Sequence, residues 1–298
     1  MTDTVELGSE EYEKYQEAGD ILAQVMDEAE ERVEVGAKHL DVAEFAENRI
    51  EELGGEPAFP VNISVNEEAS HASPGADDDT EFGEDMVCLD VGVHVDGYIA
   101  DAATTVDLTD TPELVEAAEE ALDAALDVVE AGVHTGEVGA EVQDVIEAYG
   151  YNPIVNLTGH GLDHYDAHVG PNVPNRAVDT GVELQAGDVL AIEPFATTGT
   201  GKVTEGAKTE IYEVVEEGRV RQKQVREVLE EIEENFDGLP FAARWVDAPR
   251  AEMAIRRLEM AGVLRSYPVL KEDEGTLVSQ AEHTVVVTED GCEITTER

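Results

Sequence analysis

Asp90 and Asp101 flank the dipeptide Asp96-Gly97 within the stretch Met86 to Asp101. Asp-Gly suits a two-residue type I′ hairpin, because both central positions need positive φ. With that loop, Val95 pairs with Tyr98, Gly92 with Asp101 and Asp90 with Ala103. Side chains alternate faces along a strand, so the two aspartates share one face as diagonal neighbours, roughly 7–8 Å apart at the backbone. Gly92 is expected to leave open space across from Asp101. Two acids aimed into one hole repel unless a cation fills it, and paired divalent ions about 3.5–4 Å apart in hydrolytic sites would suit this diagonal. In a chain with 70 Asp and Glu among 298 residues, the pair could equally be solvated hairpin acids.

Other residues bear on that choice. His160 lies between Gly159 and Gly161, with His164 and His168 four and eight residues on. This imitates a helix face, but Gly159, Gly161, Gly170 and Pro171 argue for loop and strand. The apolar strand Val189-Leu-Ala-Ile192 delivers Glu193 just before Pro194, and Glu282 precedes a strand from Thr284 to Val287. Four carboxylates and one imidazole (Asp90, Asp101, His160, Glu193, Glu282) suit two hard-to-borderline divalent ions such as Mn, Co, Fe or Zn. A single structural zinc would favour cysteines. Cys88 and Cys292 are the only two, far apart, and read as reduced apolar filler. His164 reads as a surface residue, and His39, His94 and His134 as chemically idle. His283, next to Glu282 on a strand, should face away.

These residues need a scaffold. An acidic amphipathic helix is expected over 9–34 and a second from Gly36 to about Leu53, followed by a short strand Val61–Val65 and a polar loop 66–79 carrying His71. Thr111-Pro112 starts a third helix, with Thr as its cap, running to Glu130. The chain then repeats: Glu34, Gly36, Val42, Ile50, Glu51, Gly54 and Pro57 recur as Glu130, Gly132, Val138, Ile146, Glu147, Gly150 and Pro153, always 96 residues on. Val61-Asn-Ile-Ser matches Val155-Asn-Leu-Thr slightly out of that phase. Chance helix–Gly–Pro punctuation is the alternative to a duplicated α/β unit with its site between the halves. Asp290-Gly291 suggests a closing hairpin. Residues 202–271 hold 12 of the 18 Lys and Arg with 14 acids, so this segment is near neutral while the rest is strongly acidic. Helices at about 221–235 and 249–262 and a short strand give it the look of a winged-helix-like insert. A nucleic-acid contact is one reading of it and a packing insert the other.

The formal net charge is -52 at 42% hydrophobic content, which points to a globular chain rather than an acidic tail. Such charge strains a compact state in dilute buffer, whereas in molar salt the Debye length falls to about 3 Å. The acidity reads as halophilic adaptation to a salt-rich cytoplasm. No leader and no apolar run approaching a membrane span is recognisable, so a cytoplasmic location is expected.

The motifs Pro57-Ala-Phe-Pro60, Asn66-Glu-Glu-Ala-Ser-His71, Leu89-Asp-Val-Gly92, Ile99-Ala-Asp101, Gly159-His-Gly161, His168-Val-Gly-Pro171, Ile192-Glu-Pro-Phe195 and Gln280-Ala-Glu-His-Thr284 occur in this order along nearly the whole chain. In them the sequence resembles the type II methionine aminopeptidases, in an archaeal, halophile-like form. The resemblance implies an α+β pita-bread fold with internal pseudo-two-fold duplication, a catalytic domain of residues 1–207 and 271–298, and a helical insert subdomain of 208–270. It also implies two divalent metal ions, with Asp101 and Glu282 bridging, Asp90 on one ion, and His160 with Glu193 on the other. Glu193 would shuttle the proton, and His71 and His168 would touch the scissile amide. Phe59 and Tyr267 would wall the methionine pocket, while Ala167 is smaller than the aliphatic residue usual at its place. The implied substrate is an initiator methionine on a nascent chain with a small second residue. A monomer is expected, with the ribosome as a conceivable partner and no membrane. The rivals are a Xaa-Pro-type peptidase of the same fold, and a non-catalytic relative that binds RNA or ribosomes through the insert.

Overall fold

A computed structural model describes residues 4–216 and 222–298. The aspartate hairpin is the spine of its first half. Strand Met86–Val95 pairs with Tyr98–Asp107 over its full length, in the register that the Asp-Gly turn dictates, with Gly92 opposite Asp101 and Asp90 opposite Ala103. Both turn residues have positive φ. The other edge of Met86–Val95 takes the short strands Asn62–Val65 and Glu56–Pro57.

Helices α1 (Glu10–Glu30) and α2 (His39–Leu53) cover this sheet. Ile21, Leu22, Val25, Met26, Ala43 and Ile50 pack onto Leu89, Val91 and Val93. Ser9 caps α1 by accepting from the Tyr12 N–H at 3.1 Å. α1 ends at Glu30, four residues earlier than the expected 34. The Arg32 and Val33 N–H groups bond the carbonyls of Ala29 and Glu30 at 3.0 Å, which tightens the last turn and swings Val33 into the core.

The second half repeats the plan. Helices α3 (Pro112–Val128) and α4 (Thr135–Ala148) cover a sheet ordered Gly291–Ile294, His283–Thr288, Val189–Ile192, Thr158–Asp163, Asp166–Pro174. α4 begins 96 residues after α2, and Asn152–Pro153 lies 96 after Glu56–Pro57. The out-of-phase match fails: Val155-Asn-Leu is a turn before Thr158–Asp163, not a counterpart of Asn62–Val65. Its Asn156 side chain is committed to Val203, bonding that residue's N–H at 3.0 Å and carbonyl at 2.9 Å. Thr111 also departs from expectation, since its side chain makes no cap bond and its N–H is taken by Asp107 Oδ2 at 2.6 Å.

Between strands Thr204–Val214 and Leu264–Lys271 lie α5 (Lys223–Asn235) and α6 (Ala251–Met260). The expected first residue of that helix, 221, lies outside the described residues. Val225, Val228, Leu229, Ile232, Ile255 and Leu258 give the pair an apolar cluster of their own. The strand Glu68–Ser70, inside what reads as a polar loop, exists because Leu264–Lys271 offers it an edge. Among the described residues no helix is long and apolar enough to cross a membrane.

One buried ion pair pins the helical segment to the first half. Glu47 on α2 is 8% exposed and accepts from Arg244 and from Trp245 Nε1 at 3.0 Å. The same guanidinium donates to Ser73 Oγ at 2.9 Å and the Pro74 carbonyl at 3.0 Å, so it also holds the loop after His71. Replacing Arg244 with Met should destabilise the chain by about 3–5 kcal/mol, because a buried carboxylate loses its partner. The denaturation midpoint measures this, and adding Glu47→Gln should recover part of the loss.

Candidate active site

All nine residues singled out from the sequence line one cavity of about 210 Å³: Phe59, His71, Asp90, Asp101, His160, His168, Glu193, Tyr267 and Glu282. Larger clefts of about 580 and 850 Å³ flank the helical segment without such a set of buried acids. The first half contributes Asp90 and Asp101 from the hairpin. The second contributes His160 from Thr158–Asp163, Glu193 from the end of Val189–Ile192, and Glu282 from the start of His283–Thr288.

One donor atom each from Asp101, His160 and Glu282 all lie within 4.8 Å of one another. His160 Nε2 is 3.4 Å from Glu193 Oε1 and 3.9 Å from Asp101 Oδ2. Its Nδ1 faces the Gly161 carbonyl at 3.3 Å, which favours the proton there and leaves Nε2 as a bare donor for a ligand. Burial pushes the His160 pKa down to about 3, so the ring is neutral. Desolvation lifts the Asp90 carboxyl to about 7. Burial, and then the neighbouring carboxylates, raise Asp101, Glu193 and Glu282 well above the ordinary range.

Oδ1 of Asp90 and Oδ1 of Asp101 are buried and have no hydrogen-bond partner. Orphaned acceptors on adjacent buried acids are costly unless a cation occupies the space between them. The donor set of carboxylate oxygens and one imidazole nitrogen suits Mn, Co, Fe or Zn. The residues therefore fit divalent ions.

The space beside Gly92 is not open, as the sequence suggested. A Cβ there would lie 2.2 Å from Phe59, whose ring occupies the hole. His71 follows strand Glu68–Ser70 with φ at 61°, a conformation rare outside glycine. Its ring meets Tyr267 edge-on at 5.3 Å, and the Tyr267 ring stacks at 6.4 Å on His168. Tyr267 donates to Glu213. His283 turns away to Thr296 Oγ1 at 2.8 Å, and exposed His164 contacts the Asp96 carbonyl at 2.9 Å. Ala167 packs behind the site in the cluster around Phe59, Ile99 and Leu162. Ile211 and Pro240 join Tyr267 in the wall, and Asn62, cross-strand from Asp90, joins the floor. Sequence reasoning passed over these three. None of the three carries a local signal: Asn62 takes its place only because its strand pairs with Met86–Val95 in a register that no turn dictates.

Residues 13–289 match the family described as Metallopeptidase family M24. The chain is 54% identical to a methionine aminopeptidase of Archaeoglobus fulgidus over 286 residues, covering 95% of this chain and 98% of the relative. It is 48% identical to a methionine aminopeptidase of Methanocaldococcus jannaschii over 290 residues, covering 96% and 99%. Among solved structures, a methionine aminopeptidase of Thermotoga maritima superposes with a TM-score of 0.73 at 26% identity, covering all of both chains.

The raised carboxyl pKa values set the sign of a pH effect. The unfolded chain ionises these acids near 3.8 and 4.5, but the folded metal-free chain resists doing so until about 7 for Asp90, and burial with neighbouring carboxylates holds the others well above their ordinary range. Their contribution to stability is therefore present at low pH and declines as pH rises through that window. A divalent ion binds the ionised form, so the gain in Tm from Mn²⁺ over chelator should grow from about pH 4 to about pH 7.5. Scanning calorimetry in molar KCl measures that gain, and a constant value across the range would contradict the assignment of these acids as ligands.

Proposed function

The chain belongs to metallopeptidase family M24, and from that premise we propose that it hydrolytically removes the N-terminal methionine of nascent polypeptides whose second residue is small. The observation that carries this reading is the convergence, in one buried cavity, of a metal-binding donor set with histidines and apolar walls. Divalent ions bound there supply Lewis acidity, acidifying water and drawing charge off the scissile carbonyl. Two such ions would be held by Asp90, Asp101, His160, Glu193 and Glu282.

The protein groups divide the remaining work. Glu193 accepts a proton from the attacking water and returns it to the leaving amide nitrogen. Burial holds His71 down to about 4, so it works as a neutral imidazole. Its Nδ1 is buried without a partner and is free to meet a polar group of the substrate. His168 closes the opposite side, its ring 4.4 Å from that of His160. Phe59 and Tyr267 flank the methionine side chain and exclude water from the cleavage point. Residues 208–270 form an insert subdomain that walls the cavity, and the surface charge suits a salt-rich cytoplasm.

Free methionine should appear from Met-Ala-Ser peptides when Mn, Co, Fe or Zn is added to stripped protein in molar KCl. Release of alanine from Ala-Pro peptides with none of methionine would overturn the assignment. Asp101→Ala should abolish turnover and metal uptake with ellipticity preserved. Glu193→Gln should lower kcat by about 10²–10⁴-fold with KM little changed, the pattern of a lost proton transfer. Transfer to dilute buffer should remove ellipticity and activity together.

A further inference from the structure

The two halves touch along a seam under the cavity. Strand Tyr98–Asp107, which carries Asp101, runs beside the segment from Gln280 to Thr284, which carries Glu282. The two are not ladder partners and belong to different sheets. At the centre one direct bond joins them, from the Glu282 N–H to the Ala103 carbonyl at 3.0 Å.

On either side of that bond a threonine hydroxyl stands between the backbones. Thr284 Oγ1 accepts from the Asp101 N–H at 2.8 Å and donates to the Asp101 carbonyl at 2.8 Å. Thr105 Oγ1 accepts from the Gln280 N–H at 2.9 Å and donates to the Gln280 carbonyl at 2.7 Å. The pattern is two-fold symmetric about Ala103 and Glu282. The residue two before each is gripped by the threonine two after the other. Thr105, Thr284, Gln280 and Asp101 are all buried, so water cannot take the place of either hydroxyl.

A direct ladder bond would draw the strands to about 4.8 Å, and an interposed hydroxyl holds them further apart. We propose that Thr284 and Thr105 are positioning residues for the metal centre, hydroxyl spacers that set the gap across which the Asp101 and Glu282 carboxylates face each other. The grip on Asp101 is direct. The grip on Glu282 runs through Gln280, whose Nε2 donates to Glu282 Oε2 at 3.2 Å. Thr284 is itself anchored, donating its N–H to Thr296 Oγ1 at 3.1 Å and accepting from the Thr295 N–H at 2.9 Å. A β-branched side chain suits the task because it keeps few rotamers. Valine has the same shape without the hydroxyl, and serine keeps the hydroxyl without the methyl.

This inference rests on the metal-centre reading above, and calorimetric titration of Mn²⁺ into the chelator-stripped full chain in molar KCl separates the two. Thr284→Val should weaken Mn²⁺ binding by about 10–100-fold and Thr105→Val by about 10-fold, while Thr284→Ser and Thr105→Ser stay within about threefold. Melting of the metal-free variants identifies folded protein, and if Thr284→Val does not fold, Thr105→Val decides. Folded valine variants that bind Mn²⁺ as tightly as wild type would overturn the spacer role and leave the metal centre standing. Wild type that takes up no Mn²⁺ would overturn the metal centre, and the spacer role with it.

Discussion

Like charge held in a small, largely buried space is the constraint on which this structure turns. Asp90, Asp101, Glu193 and Glu282 share a cavity of about 210 Å³, and no lysine or arginine lines it. Each acid is raised first by burial, and all but Asp90 next by neighbouring carboxylates. A chain gains nothing in stability from that arrangement. Its apolar clusters, hairpin register and seam all hold the acids together against their repulsion, which makes sense if the missing positive charge comes from ions.

The duplication explains where that space lies. Neither half contains a sufficient donor set, for the first offers two aspartates and the second a histidine and two glutamates. Each half is a sheet backed by two helices with its own core. Chemistry falls on the surface where the two halves meet. The helical segment adds little to the donor set but much to the enclosure, through Ile211, Pro240 and Tyr267.

What could be read in advance follows the range over which each interaction acts. The hairpin register was legible because one dipeptide determines it, and with it the shared face of Asp90 and Asp101. The repeat was legible because capping and turn residues recur at a constant interval. Phe59 filling the hole beside Gly92, Thr111 failing to cap, and Val155-Asn-Leu forming a turn were not. Each depends on a partner far away in the chain or on a competing side chain such as Asp107. The threonine seam was the least visible feature, since nothing near Thr105 or Thr284 marks the distant backbone it bonds.

Acid identity by itself carries almost no information in a chain with 70 of them, and burial is what restores it. Only six of the described Asp and Glu are buried: Glu47, Asp90, Asp101, Asp188, Glu272 and Glu282. Glu47 has Arg244 and Trp245. Glu272 accepts from the N–H groups of Gly201, Lys202 and Asp273 and organises their turn. Asp188 accepts from the Gln185 N–H at 2.8 Å. Those three are explained by donors that the fold supplies. The other three line the cavity beside the less buried Glu193: Glu282 accepts a single side-chain amide, and Asp90 and Asp101 each keep an orphaned oxygen. The two hairpin aspartates are thus recognisable by the protein's failure to satisfy them, a criterion that holds however acidic the surface becomes, because solvated carboxylates never meet it.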